Sequence, residues 1–232
     1  MKHIGIIGSG NIGAVLTHLF RVAGHDVAVA NSRGPASLTD FARKAGAHAV
    51  TVEEAVQGKD VVVVTIPLNR IPDLPKGLFA SVPANTVVID TCNYYPQHRD
   101  GRIAEIEAGL TESQWVARQL QRPVVKVFNS IYAAHLADGG KPEGASGRIA
   151  LAVSGDDAAA KATVMALVNE VGFDPVDAGS IADSWRQQPG SPGYCQDFDR
   201  DGVQQALAAA TQERTPEWKA TDKSPGTFEQ PA

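Results

Sequence analysis

The feature that most constrains this chain is its opening. His3-Ile4-Gly5-Ile6-Ile7 is an apolar, β-branched run that passes directly into Gly8-Ser9-Gly10-Asn11-Ile12-Gly13. A buried strand followed at once by G-x-G-x-x-G and a helix is the first turn of a dinucleotide-binding βαβ unit. Gly8 permits the tight turn, Gly10 lets backbone approach a pyrophosphate, and Gly13 lets helix and strand pack closely. The amides of Ser9, Gly10, Asn11 and Ile12 then face the phosphates, helped by the helix dipole.

The pattern continues along the chain. Ile12, Val15, Leu16, Leu19 and Phe20 have helical spacing, and Gly24 ends that helix. Asp26–Ala30 reads as the second strand, and Leu38–Ala45 as a helix stopped by Gly46. Asp60–Pro67 and Thr86–Asp90 read as buried strands, 101–121 as one or two helices ended by Pro123, and Val124–Phe128 as a further strand. Strand and helix alternate to about residue 130, which predicts an α/β Rossmann-type fold with a doubly wound parallel sheet. The polar, Gly-rich 141–147 marks a joint. Beyond it lie a strand at Arg148–Ser154, a helix at Asp156–Val171 and a strand at Asp174–Asp177. A small C-terminal extension that lengthens the sheet or packs beside it follows from that size. The expected division is 1–140 for the nucleotide domain, 141–214 for a substrate or dimerisation unit whose last helix runs 202–214, and 215–232 for a mobile tail.

The second strand ends in Asn31-Ser32-Arg33. Enzymes that select NAD place a carboxylate here to grip the ribose 2′-hydroxyl. Donors and one permanent positive charge suit a 2′-phosphate instead, so NADP(H) is the expected cofactor. The alternative is that Arg33 is a solvated loop residue.

Three strand ends share one level of such a sheet: Thr65-Ile66-Pro67, Cys92-Asn93 after Asp90, and Asn129 after Phe128. Thr65, Ile66 and Pro67 are placed to cover ribose and nicotinamide. Asn93 and Asn129 either hold the carboxamide or the substrate, or cap their loops. Tyr94, Tyr95, His98 and Arg99 offer the floor of a pocket for a polar or anionic small substrate. His135 is either a proton donor near the hydride acceptor or a helix-surface residue, and Tyr132 either a proton donor or packing. Trp185 and Tyr194 are candidate pocket walls or core.

The 232 residues carry a formal charge of −5, which gives no support to nucleic-acid binding. No apolar run approaches the ~20 residues of a membrane span, and the expected setting is cytoplasmic. The two cysteines, Cys92 and Cys195, read as apolar filler, and the histidines show no metal-ligand spacing.

Taken in order, I-G-I-I-G-S-G-N-I-G, N-S-R, V-V-V-V-T-I-P, V-I-D-T-C-N, K-V-F-N-S-I, V-S-G-D-D (153–157) and V-D-A-G (176–179) resemble the NADP oxidoreductases that use the deazaflavin coenzyme F420. The same domain is similar to the reductase module of membrane ferric reductases and, more distantly, to pyrroline-carboxylate reductases. The resemblance spans about residues 1–185. It implies hydride transfer between NADPH and a flat deazaflavin held face to face with the nicotinamide, and a homodimer. The segment 97–121 is longer than the family's core pattern, and 187–197 carries no deazaflavin motif. An NADPH-dependent reductase of another small acceptor (imine, carbonyl, flavin or ferric chelate) is therefore the second expectation. A non-catalytic NADPH-sensing module is the third.

Overall fold

The computed structural model describes residues 1–213 and 226–231. Six strands form one parallel sheet: β1 (His3–Ile7), β2 (Asp26–Ala30), β3 (His48–Ala49), β4 (Val61–Val64), β5 (Val87–Asp90) and β6 (Val125–Lys126). Their order is β3-β2-β1-β4-β5-β6. The chain leaves β1 in one direction and returns to its other side at β4. The crevice for a nucleotide therefore opens at the carboxyl ends of β1 and β4, where the order reverses.

Both faces of the sheet are covered, which is why its strands are continuous apolar runs rather than alternating ones. Ile4, Ile6, Val27, Val29, Val61 and Val63 point to one core, shared with Leu16 and Phe20 of α1 (Asn11–Val22). Ile7, Val62, Val64 and Val88 point to the other, with Trp115 and Val116 of α4 (Glu112–Leu120). The remaining helices are α2 (Thr39–Ala45), α3 (Ala104–Glu107), α5 (Ala133–Asp138), α6 (Ala158–Glu170) and α7 (Arg200–Ala209). Helix α2 stops at Gly46, whose φ of 68° is left-handed. Helix α4 starts from a capping box in which Thr111 and Gln114 satisfy each other's backbone amides.

Strands β7 (Ala150–Val153) and β8 (Asp174–Asp177) form a separate parallel pair connected through α6. A single antiparallel bridge, Lys126 to Ser154, joins this pair to β6. Val164, Leu167 and Val168 of α6 enter the same core cluster as Leu16 and Phe20. The C-terminal unit thus prolongs the edge of the sheet and shares its core.

Three expectations are corrected. Strand β6 covers two residues, not Val124–Phe128, because Phe128 has a φ of 61° and leaves extended geometry. Strand β3 was not expected. Helix α7 begins at Arg200, where Asp199 accepts from the Gly202 amide, and ends at Ala209 rather than residue 214. The expected mobile tail 215–232 falls mostly outside the described residues. Of its described part, Phe228 lies under the Arg102 guanidinium at 4.5 Å and accepts from the Arg102 amide. No described helix is long and apolar enough to cross a membrane.

Candidate functional site

The carboxyl ends of β1, β2 and β4 border a cleft of about 680 Å³. Gly8, Ser9, Gly10, Asn31, Ser32, Arg33, Thr65, Ile66 and Pro67 line it together. The glycines divide the work as their spacing suggests. A Cβ on Gly8 would stand 2.2 Å from the Thr65 carbonyl oxygen, and one on Gly13 would stand 2.0 Å from that of Gly8. Both positions are closed by backbone. A Cβ on Gly10 would meet nothing within 4 Å, so that glycine faces open space in the cleft. Gly10 is also the N-cap of α1 and offers no side-chain acceptor to the helix's first amides. Those amides are the free donors a pyrophosphate takes. The residues present fit a dinucleotide on these grounds. Asn11 and Ile12 sit in the first turn of α1; the Ile12 side chain is packed on the core, so it offers backbone only, and the Asn11 side chain is exposed.

Asn31 organises the specificity loop. Its Oδ1 accepts from the Arg33 amide at 2.9 Å, and its Nδ2 donates to Ser9 Oγ at 3.3 Å and Ser37 Oγ at 3.1 Å. Asn31 thus ties the loop to the phosphate turn and fixes the backbone from which the exposed Arg33 side chain projects. Sequence reasoning missed Ser37, and it missed Arg70 and Asp73, which border the same cleft and form an ion pair at 3.0 Å.

At the carboxyl ends of β5 and β6 the structure brings the two asparagines together. Asn93 Nδ2 donates to the Asn129 carbonyl at 2.8 Å and to Tyr194 Oη at 3.1 Å. Asn129 Nδ2 donates to Asn93 Oδ1 at 3.1 Å and to the Gln187 carbonyl at 2.7 Å, and Asn129 Oδ1 accepts from Gln187 Nε2 at 3.0 Å. Both amide groups have their N–H donors occupied within the protein, so neither asparagine can donate to a carboxamide oxygen, and each Oδ1 accepts one bond. They fasten β5, β6 and the C-terminal unit together.

Tyr94 does not floor a pocket. Its ring is fully buried in the second core, and its hydroxyl donates to the Gly101 carbonyl at 2.9 Å while accepting from the Ile103 amide at 2.9 Å. Tyr95 does reach a shared position, where its hydroxyl meets that of Tyr194 beside Asn93. Burial pushes both phenols up, so both are neutral donors at any ordinary pH. Arg99 lies over the Tyr95 ring at 5.2 Å and pairs with Asp100, which outweighs burial and raises its pKa further. His98 is exposed, edge-on to Tyr95.

His135 and Tyr132 form an exposed edge-to-face pair with centroids 5.5 Å apart, and His135 Nδ1 is 2.6 Å from Asp197 Oδ2. Neither borders the 680 Å³ cleft. Trp185 walls a different cavity, of about 480 Å³, with Thr111, Gln114, Gln188 and Ser191. Cys92 is buried and Cys195 half-buried, each with its thiol pushed up by burial, in keeping with unreactive filler.

Sequence reasoning also missed a buried charge cluster. Lys126, Asp90 and Glu112 are each 0% exposed and meet beneath the turn that ends β5. The signal was present: a lysine inside Val124-Val125-Lys126-Val127-Phe128, and an aspartate closing Val87-Val88-Ile89-Asp90. A charge within a strand buried on both faces has to find a partner there.

Comparison with known proteins supports the nucleotide half most strongly. Residues 3–94 match the family described as NADP oxidoreductase, coenzyme F420-dependent. A segment of 69 residues is 54% identical to the protein YjhV of Escherichia coli (strain K12), covering 30% of this chain and half the length of that protein. The crystal structure of a hypothetical protein, SMa0349, from Sinorhizobium meliloti superposes with a TM-score of 0.72 at 32% identity, over 85% of this chain and 95% of that one. A provisionally named F420-dependent NADP-reductase from Arthrobacter sp. FB24 has a TM-score of 0.62 at 21% identity, covering 79% of this chain and 87% of that one. That last likeness speaks for the fold. The phosphate turn and the Asn31–Arg33 loop lie within the matched residues 3–94, so it is the nucleotide half of this chain that is similar to the NADP oxidoreductases described as coenzyme F420-dependent.

Proposed function

We propose that this protein is an NADPH-dependent reductase that passes a hydride to a deazaflavin-type acceptor. The observation that carries the reading is the cleft itself: Gly10 opens onto free space at an uncapped helix N-terminus, and Asn31 holds the Arg33 backbone across from it. Bound NADPH supplies a hydride equivalent at its nicotinamide ring. The protein's share is placement. The amides of α1 take the pyrophosphate, Arg33 takes the 2′-phosphate, and Thr65–Pro67 cover the ribose side of the nicotinamide. A planar acceptor needs orientation and exclusion of water more than strong acid–base groups. The family match extends that reading to the deazaflavin coenzyme.

One observation favours a smaller acceptor instead. The Tyr95 and Tyr194 hydroxyls meet beside Asn93, and a neutral phenol pair is a suitable proton source for a reduced imine or carbonyl. Stopped-flow oxidation of NADPH, comparing oxidised deazaflavin coenzyme with imines, carbonyl compounds, flavins and ferric chelates, decides between them. Rapid turnover with the deazaflavin alone supports the first reading. Turnover with an imine or carbonyl that is lost in Tyr194→Phe supports the second.

A further inference from the structure

The cluster beneath the end of β5 has an odd charge count. Lys126 Nζ lies 3.4 Å from Asp90 Oδ2 and 3.5 Å from Glu112 Oε2, and it donates to the Cys92 carbonyl. Asp90 also accepts from the Cys92 amide at 2.8 Å and from Ser113 Oγ at 2.6 Å. Asp90 is thus held on both oxygens. Glu112 is not: the Tyr94 backbone amide and Lys126 face its carboxylate, yet its Oε1 is buried with no hydrogen-bond partner. One ammonium and two ionised carboxylates leave a net negative charge in a place without solvent; a protonated Glu112 leaves none.

The surroundings single out Glu112 as the group that can change. Burial, helped by the Asp90 charge, pushes its carboxyl up to about 7 against the pull of Lys126 and the Tyr94 backbone amide. Burial opposes the Lys126 charge, but Asp90 and Glu112 outweigh it and hold the ammonium protonated. The Tyr95 and Tyr194 phenols and the Cys92 thiol, all within electrostatic reach of the cluster, are pushed up and neutral. Charges on the elements packed against α4 are paired elsewhere. Asp183 bonds to Ser180, Arg186 lies over Trp185, Arg70 pairs with Asp73, Glu105 pairs with Arg118, and Glu107 bonds to the Tyr94 hydroxyl.

Position gives the cluster its meaning. Asp90 and Cys92 end β5, the sheet neighbour of β4, whose own end at Thr65–Pro67 lines the nucleotide cleft. In a sheet of this order the nicotinamide lies at that level. Oxidised nicotinamide is a cation and the reduced ring is neutral. We infer that Glu112, through its buried pairing with Lys126 and Asp90, sets the preference of the site between oxidised and reduced nucleotide, and releases its proton to solvent when the oxidised form binds. The inference rests on the dinucleotide reading of the cleft. Glu112 acts through its field rather than by touching the nucleotide, and the coupling is reciprocal: a proton on Glu112 weakens NADP+ as NADP+ expels the proton.

The test is binding without turnover. Dissociation constants for NADP+ and NADPH are measured at about pH 6 and about pH 8, in the full chain and in Glu112→Gln. Both nucleotides carry the 2′-phosphate, so its own titration cancels in their ratio. In the wild type, the ratio of the NADP+ to the NADPH constant should fall about three- to ten-fold as pH rises, the order of magnitude for two unit charges coupled through partly buried protein. In Glu112→Gln the ratio should stay at its low-pH value. A flat wild-type ratio, or the same fall in the variant, overturns the inference while leaving nucleotide binding intact. Binding of neither nucleotide overturns the dinucleotide reading and this inference with it. If Glu112→Gln does not fold, the infrared difference spectrum of the wild type on adding NADP+ at neutral pH decides. Loss of a protonated-carboxyl band supports the inference, and an unchanged band overturns it.

Discussion

At the scale of single residues, the glycines of the first turn make opposite predictions. Gly10→Ala places its methyl in open space, so its cost is confined to the lower rank of alanine at an N-cap, about 1 kcal/mol or less. Its melting temperature should fall by no more than about 4 °C, yet NADPH affinity should drop at least about ten-fold, because the methyl occupies the approach to the pyrophosphate. Gly8→Ala meets the Thr65 carbonyl at a φ of 118° and should lose roughly 2 kcal/mol or more of stability. Thermal melts beside nucleotide titrations of the two variants check the contrast; equal destabilisation of both would contradict the assignment of Gly10. This part of the site was legible because it is local. Strand, turn and helix lie within eleven residues, and each glycine's task follows from backbone sterics. The roles of Asn93 and Asn129 were not legible. Their partners are each other, Tyr194 and Gln187, brought together only by the fold.

At the scale of elements, long apolar strands announce themselves, and short ones do not. Val61–Val64 is unmistakable, whereas His48–Ala49 pairs with β2 through two residues that carry no apolar pattern. Strand β6 was overextended because Val127 and Phe128 are as apolar as a strand, while the backbone at Phe128 has already turned. The junction between β6 and the C-terminal unit is held by polar groups as well as by the Lys126–Ser154 bridge. Gln187 Nε2 donates to Asn129 Oδ1 and the Ala152 carbonyl, and its Oε1 accepts from Ser154 Oγ. Gln187→Ala leaves those buried groups unpaired and should cost about 1–3 kcal/mol in denaturant unfolding. A loss below a few tenths would show that water replaces the side chain and that the junction does not depend on it.

At the scale of the whole molecule, the buried cluster gives stability a pH dependence of defined sign. The Glu112 carboxyl is raised from 4.5 to about 7, so the folded state holds a proton that the unfolded chain has released across that window. Stability should therefore fall as pH rises from about 4.5 to about 7, by roughly 3 kcal/mol at most. Urea unfolding across that range should show the decline in the wild type and its loss in Glu112→Gln. A rise with pH in the wild type would mean that other carboxylates dominate.

The central claim is that the cleft between β1, β2 and β4 selects a dinucleotide bearing a 2′-phosphate. Calorimetric titration of NADPH and NADH into the wild type and into Arg33→Ala tests it most directly. The account predicts that the wild type prefers NADPH, and that the variant loses about 1–3 kcal/mol of NADPH binding with little change for NADH. Equal affinity for the two nucleotides in the wild type, or an equal loss for both in the variant, would contradict it.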